Sequence, residues 1–345
     1  MRKLTKILTV FLALITVVGL LAACSNTVGG VTFVSTGDRD NAGAIAGKTF
    51  EENIYIPERI NEFTITYVSR SGFRSHDMVT LSMADSIQYI ETRAFYWCQN
   101  LEDISFGEGL VRIEDRAFEE CIAIKSLTLP KNITTIGEAA FYNCYGMTSL
   151  YMPDSVTKVG SNAFDNCEGL TSVRLSENLI YIPIAMLRGC KNLTSITLPS
   201  RITNIGDDAF NECKSLASIT IPENVNHIGG CAFGACDSLT TVTIPSNVRS
   251  IGYGAFWYCK SLTSVTILTG VKTMEAAVFA GCPQLVSVTL PASLTSMGQN
   301  IFHDCPSLTN VYYGGSEEQW NAIQGIDEIG LPEGVTVHYN CVVAP

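Results

Sequence analysis

One cysteine, returning at a fixed interval, constrains this chain more than any other feature. Cys98, Cys121, Cys144, Cys167, Cys190, Cys213, Cys236, Cys259, Cys282 and Cys305 stand 23 residues apart with no insertion between them. Three residues after each comes an apolar side chain: Leu101, Ile124 and Met147, then Leu170 through Leu308. Others follow at six, from Ile104 to Val311, and at eight, from Phe106 to Tyr313. Aliphatics return at twelve and fifteen, as in Val225 and Ile228, and Phe stands three before each cysteine except where Leu187 replaces it. A period of this length marks a repeat architecture, in which one unit cannot bury its apolar face alone and must stack on its neighbours.

Local chemistry assigns the parts of the unit. "LTSITLP" (193–199) alternates polar and apolar residues and is rich in β-branched ones, as a strand with one buried face requires. Pro130, Pro153, Pro199, Pro222, Pro245 and Pro291 end that strand in six units by withholding an N–H. The "AFxxC" segment is too short for a stable helix and predicts one helical or 3-10 turn on the opposite side. The expected fold is a solenoid, with a parallel β-sheet on one face and short helical or 3-10 turns and loops on the other. About twelve strands in one continuous ladder, ~4.8 Å apart, would span ~50–60 Å.

The unit L-x-x-I-x-L-P-x-x-[VI]-x-x-I-G-x-x-A-F-x-x-C resembles the BspA-type (treponemal-type) leucine-rich repeat of bacterial surface proteins over residues 50–315. Residues 81–95 match the second half of a further unit, and 54–73 read as a degenerate first one, since terminal repeats cap the stack. "VYYGGSEEQWNAI" (311–323) resembles the segment that closes such arrays. Within it Ser316 and Gln319 have capping-box spacing, and Glu317 and Glu318 fall in the first helical turn, where the dipole favours anions. Residues 316–345 are accordingly expected to form a C-terminal capping segment, with 334–340 as a last strand covering the sheet edge. The resemblance implies an adhesion or attachment role towards an extracellular protein or glycan ligand.

The N-terminus reads as a processing segment. Arg2, Lys3 and Lys6 precede an apolar run from Ile7 to Ala23, and "LAAC" resembles a bacterial lipobox. Residues 1–23 are expected to be a lipoprotein signal peptide and Cys24 the lipidated residue, with two acyl chains holding the protein on the outer side of the bacterial membrane. Residues 24–49, rich in Gly, Ser, Thr, Asn and Asp, read as a flexible tether.

Thirteen cysteines in an exported chain would ordinarily suggest disulfides. The register argues otherwise, because stacked side chains at equivalent positions point in parallel whereas a disulfide needs converging Cβ vectors. The ten repeat cysteines are expected to be buried structural thiols with weak S–H donors. They lack the paired C-x2-C spacing of a zinc site. Cys231 and Cys341 stand outside the ladder, and a bridge between them is left open.

With 22 basic against 33 acidic residues, a net of −11, the chain is unsuited to nucleic acid. His76, His227, His303 and His338 occupy unrelated repeat positions, so no Ser-His-Asp or Cys-His pairing is read from them. "DRDNAG" (38–43) hints at a calcium loop, but Ala42 and Thr49 stand where ligands are needed. Five and seven residues after each cysteine the side chains face solvent on the sheet. These rows are mostly Ser and Thr, relieved by Asp103, Tyr151, Arg174 and Tyr312. Tyr and Arg are enriched at interaction hot spots, so those four are the candidate ligand-binding residues, with the adjacent Tyr151 and Arg174 foremost. The expected protein is a monomeric, non-catalytic surface lipoprotein without cofactor or metal. The alternative is a passive structural spacer.

Overall fold

Each 23-residue unit makes one turn about a common axis, so equivalent residues of successive units lie one strand spacing apart. The structure, a computed structural model, describes residues 27–35, 37–47 and 51–342. The predicted signal segment and Cys24 lie outside the described residues. About 13 turns stack into a β-solenoid of three sides.

The front side is the predicted sheet. Ser126–Thr128, Ser149–Tyr151 and Ser172–Arg174 pair in parallel with Leu127, Leu150 and Val173 in register, and Thr241–Ile244, Ser264–Ile267, Ser287–Leu290 and Asn310–Tyr313 continue the pattern. Inward and outward residues alternate along the strands, as in Ser126–Thr128, where only Leu127 is buried, and Thr241–Ile244, where Val242 and Ile244 are. The ladder is not continuous: it runs in pieces of three, three and five strands, and no strand forms at 195–198 or 218–221.

The back of each coil carries a second parallel ladder that the sequence did not reveal. Its strands are two residues long, as in Arg112–Ile113, Thr135–Ile136 and Lys158–Val159, paired in register. A two-residue strand has no alternation to read. The glycine after it reflects close packing between coils, since a Cβ on Gly137 would lie 2.5 Å from the Asp115 backbone nitrogen.

The third side corrects the expectation of helical turns. At the residues five and one before every repeat cysteine, φ is positive, from Arg93 and Trp97 to Asn300 and Asp304, and only Gly189, Gly254 and Gly281 of these are glycine. A left-handed residue every fourth position forbids a helix. What compensates is a third ladder. Arg116, Phe118 and Glu120 donate their N–H groups to Glu138, Ala140 and Tyr142 of the following coil at 2.8, 2.8 and 2.9 Å. The alternate N–H groups of Glu119 and Cys121 close tight turns to Arg116 and Phe118. Backbone groups are thus paired on all three sides.

The core is a set of columns. Phe95, Phe118, Phe141 and Phe164 stack with centroids 4.9 to 5.4 Å apart, and Phe210 to Phe302 form a second column beyond Leu187. Beside them the ten repeat cysteines are buried and free. From Cys121 onward each Sγ–H points at the carbonyl of the residue three before the preceding cysteine, at 3.1 Å for Cys121 and 3.5 Å for Cys190, and Cys98 points at the Phe73 carbonyl at 3.0 Å.

Both ends are closed. Val31–Ser35 and Ala42–Ala46 form an antiparallel hairpin whose second strand pairs with Phe63–Val68, and the Ala46 N–H reaches the Gly72 carbonyl at 2.8 Å. Residues 31–46 are therefore an N-terminal cap, not the expected tether of 24–49. Val31, Ala42 and Ala44 are fully buried over the open core. Small residues suited to a close-packed lid gave the segment its linker-like composition. At the other end Ser316 and Gln319 form a reciprocal capping box on Glu317–Asn321, which among the described residues is the one α-helix and presses Trp320 against Tyr313. Thr336–His338 pairs with Asn310–Tyr313, Gln324 bridges Ser296, and Glu328 and Ile329 accept from Asn300 and Phe302. One segment so covers all three ladders.

Candidate functional site

The front sheet brings Tyr151 and Arg174 together and leaves Asp103 and Tyr312 elsewhere. Tyr151 and Arg174 are register partners, and the guanidinium lies 5.0 Å from the centre of the Tyr151 ring, within cation–π range. Arg174 also donates to Met152 O at 2.6 Å and reaches both oxygens of Asp154, at 2.9 and 3.1 Å. Those contacts, after the Glu177 backbone N–H, hold the Asp154 carboxyl below its ordinary range. The result is a fixed aromatic–cation pair, half exposed, on a flat polar surface. Asp103 sits two coils towards the N-terminus of Tyr151. Tyr312 lies on the last repeat strand, where its ring stacks on His338 of the cap at 4.8 Å.

The remaining sequence candidates are structural. Burial pushes Cys213 and Cys305 up to about 12 and raises Cys121, Cys144, Cys167, Cys190 and Cys236 as well, so at neutral pH these thiols are protonated and unreactive. Cys231 and Cys341 are both free and partly exposed. Among the described residues no group of three or more His, Cys, Asp or Glu side chains is placed to hold a metal ion. His227 Nδ1 pairs with Ser250 Oγ at 2.7 Å, and His338 Nε2 with Asn310 at 2.9 Å. No helix among the described residues is long and apolar enough to cross a membrane.

Sequence reasoning missed the turn face. The two residues before each repeat cysteine lie on this turn, and among them Trp97 and Trp257, two of the three tryptophans in the chain, are 48% and 36% exposed. Tyr96 and Tyr258 accompany them, with ring centroids 6.2 and 4.5 Å from their neighbours. Arg74 and Arg93 lie over the Tyr96 ring at 5.2 and 5.7 Å. In the same rows Arg188 clamps the wholly buried Asp165, at 2.5 and 3.1 Å, and Asn162 donates to that carboxylate at 2.8 Å. The signal was present: indole rings at the variable "xx" of A-F-x-x-C are costly to expose without a partner.

Comparison with known proteins agrees with this geometry. A family model described as the BspA type leucine-rich repeat region matches residues 66–194 and 180–309. The structure is similar to that of a leucine-rich repeat protein from Bacteroides ovatus, with a TM-score of 0.65 and 20% identity over 91% of this chain and 99% of that one. It is also similar to a leucine-rich cell surface protein from Faecalibacterium prausnitzii, with a TM-score of 0.56 and 26% identity over 86% and 97% of the two chains. A leucine-rich repeat protein from Eubacterium ventriosum aligns with a TM-score of 0.55 and 20% identity over 93% and 95%. No curated relative matches the chain. With the family model spanning most of the array and the coils stacking as that repeat requires, the chain belongs to the BspA-type leucine-rich repeat family.

Proposed function

We propose that this chain is a non-catalytic cell-surface lipoprotein that attaches to a macromolecular partner, an extracellular protein or glycan, through its repeat array. The observation that carries this reading is the Tyr151–Arg174 pair, held rigid and half exposed on an otherwise uniform front sheet. A preorganised aromatic–cation pair loses little side-chain entropy on binding, which is what a contact point needs. The cell-surface description of the Faecalibacterium relative supports the location. Lipidation at Cys24 rests on the lipobox-like sequence. The alternative, a passive spacer, is favoured by the occupancy of Arg174, whose donors are already committed to Asp154 and Met152.

The discriminating experiment is binding of the mature chain to an array of extracellular-matrix proteins and glycans. A saturable hit that weakens about tenfold or more in Tyr151→Ala supports attachment. A spacer gives no saturable hit. Replacing Cys24 by Ala is expected to release the chain from the membrane fraction; retention there would overturn the lipid anchor.

A further inference from the structure

The turn face holds a polar pocket of about 300 Å³, built by four consecutive coils and lined by Arg116, Glu119, Glu138, Tyr142, Asn162 and Arg188. One of its walls is unusual. Glu119 is 8% exposed, yet its Oε2 accepts no hydrogen bond, and its cationic neighbour Arg116 stands 3.5 Å away. Burial pushes the Glu119 carboxyl above its ordinary range, and Arg116 and Arg93 only partly offset that, with Glu120 adding to the rise. Buried carboxylate oxygens ordinarily have partners, and one left without them is destabilising unless something else supplies a donor.

Its surroundings narrow what that donor can be. A free anion entering the pocket would meet Glu119 and Glu138; a free cation would meet Arg116 and Arg188. Arg188 is turned towards Asp165 and holds the far wall in place. A neutral polyhydroxylated molecule satisfies both signs at once, giving its hydroxyl protons to the carboxylates and accepting from guanidinium, amide and phenol. The coil on the N-terminal side adds an aromatic surface. The Trp97 backbone N–H donates to the Glu119 carbonyl at 2.9 Å, so the coil that carries Tyr96 and the 48% exposed Trp97 pairs directly with the coil of Glu119. Exposed rings next to a cluster of planar hydrogen-bonding groups suit the two faces of a sugar, whose C–H side packs on aromatic carbon while its hydroxyl rim seeks polar partners.

We infer that the turn-face pocket at Glu119 binds one neutral sugar unit, with Glu119 accepting from its hydroxyls, Arg116 and Tyr142 donating or accepting around the ring, and Trp97 flanking it. The site is separate from the front sheet and stands whether or not that sheet engages a partner. Its opening at the turn edge leaves room for the unit to be part of a longer glycan.

The test is saturation-transfer NMR and tryptophan fluorescence on the full chain. The probes are the methyl glycosides of glucose, galactose, mannose and N-acetylglucosamine, with methyl glucuronide as the charged control. At least one neutral glycoside is expected to bind saturably and more tightly than the glucuronide. Glu119→Gln is expected to weaken that binding about tenfold or more. Trp97→Ala is expected to weaken it about two- to tenfold and to abolish the fluorescence response. Glu119→Gln keeps the shape of the side chain, and an unchanged thermal midpoint or a higher one certifies the variant as folded. The inference is overturned if no neutral glycoside binds, if the glucuronide binds best, or if folded Glu119→Gln binds as well as the parent.

Discussion

The front sheet and the turn face are built from the same 23-residue unit and the same one-strand spacing, yet they differ in backbone. On the front sheet the chain is extended, and N–H groups reach back to the preceding coil, as Thr148 does to Lys125 and Thr171 to Thr148. On the turn face φ changes sign along the segment, and N–H groups reach forward, as Phe118 does to Ala140. Extended backbone selects outward residues by β-propensity, which explains the Ser and Thr rows. The turn imposes no such selection two residues before each cysteine, and there Tyr96, Glu119, Tyr142, Asp165, Arg188, Asn211, Gly234 and Trp257 succeed one another. Chemical variety has collected where the backbone constrains side-chain type least. That is where a ligand site is cheapest to build.

The largest test of this contrast concerns what lies behind each face. Phe141, stacked between Phe118 and Phe164 at 5.1 and 5.4 Å, anchors the turn face to the core. Phe141→Ala is expected to cost about 3–5 kcal/mol in urea unfolding. Thr266→Ala on the outer front sheet is expected to cost under about 1 kcal/mol. Equal costs would mean that the Phe column is not the spine of the array.

Thiol reactivity separates buried columns from exposed turns. In the native protein Cys231 and Cys341 are expected to react with a thiol reagent about a hundredfold or more faster than the repeat cysteines, whose thiols are buried. All twelve cysteines of the described residues should react alike in denaturant. Fast native labelling of Cys213 would break the column.

Glycine substitution sharpens the backbone contrast by giving it opposite signs. Ala277 has φ of 60°, so Ala277→Gly on the turn face is expected to leave stability unchanged or raise it by up to about 1 kcal/mol. Ser264→Gly, in an extended front strand, is expected to lower it by about 1 kcal/mol. The same sign at both sites would argue against left-handed turns.

The smallest effect is electrostatic. The Glu119 carboxyl is raised by burial, so the folded state binds its proton more tightly than the unfolded chain does. By linkage its contribution worsens as pH rises from the ordinary glutamate range through the folded value, and it is relieved as pH falls. Glu119→Gln is therefore expected to raise the thermal midpoint by about 1–2 °C at pH 7, a gain that shrinks towards pH 4.5. A gain independent of pH would assign the effect to packing.

The repeat, its length, the front strand and the inward columns were legible in the sequence because each leaves a periodic trace. Alternation marks the strand, and recurrence marks Cys, Phe and Leu. The rear ladder was not legible, since two residues such as Thr135 and Ile136 cannot show a period. Nor was the turn, because residues as different as Arg116, Ala139 and Asn162 share one left-handed position, and no propensity scale groups them. The hairpin at 31–46 was misread for a third reason. The smallness of Ala42, Gly43 and Ala44 is what lets it lie flat on the first coil, and in a sequence the same smallness looks like slack. Of the candidate site, Tyr151 and Arg174 were found from their shared row, whereas the Glu119 pocket draws on residues 72 positions apart in an apparently irregular order.

What the sequence determined by itself is the solenoid. A 23-residue period without insertion forces equivalent residues into columns, because each unit's apolar face can be buried only by the next unit. What the tertiary structure alone decided is which outward residues meet. That depends on the handedness of each turn residue and on which coil its N–H selects, and neither leaves a mark on residue type. The Glu119 carboxylate oxygen that accepts no hydrogen bond, with the Arg116 guanidinium 3.5 Å away, exists only once four coils have closed around it.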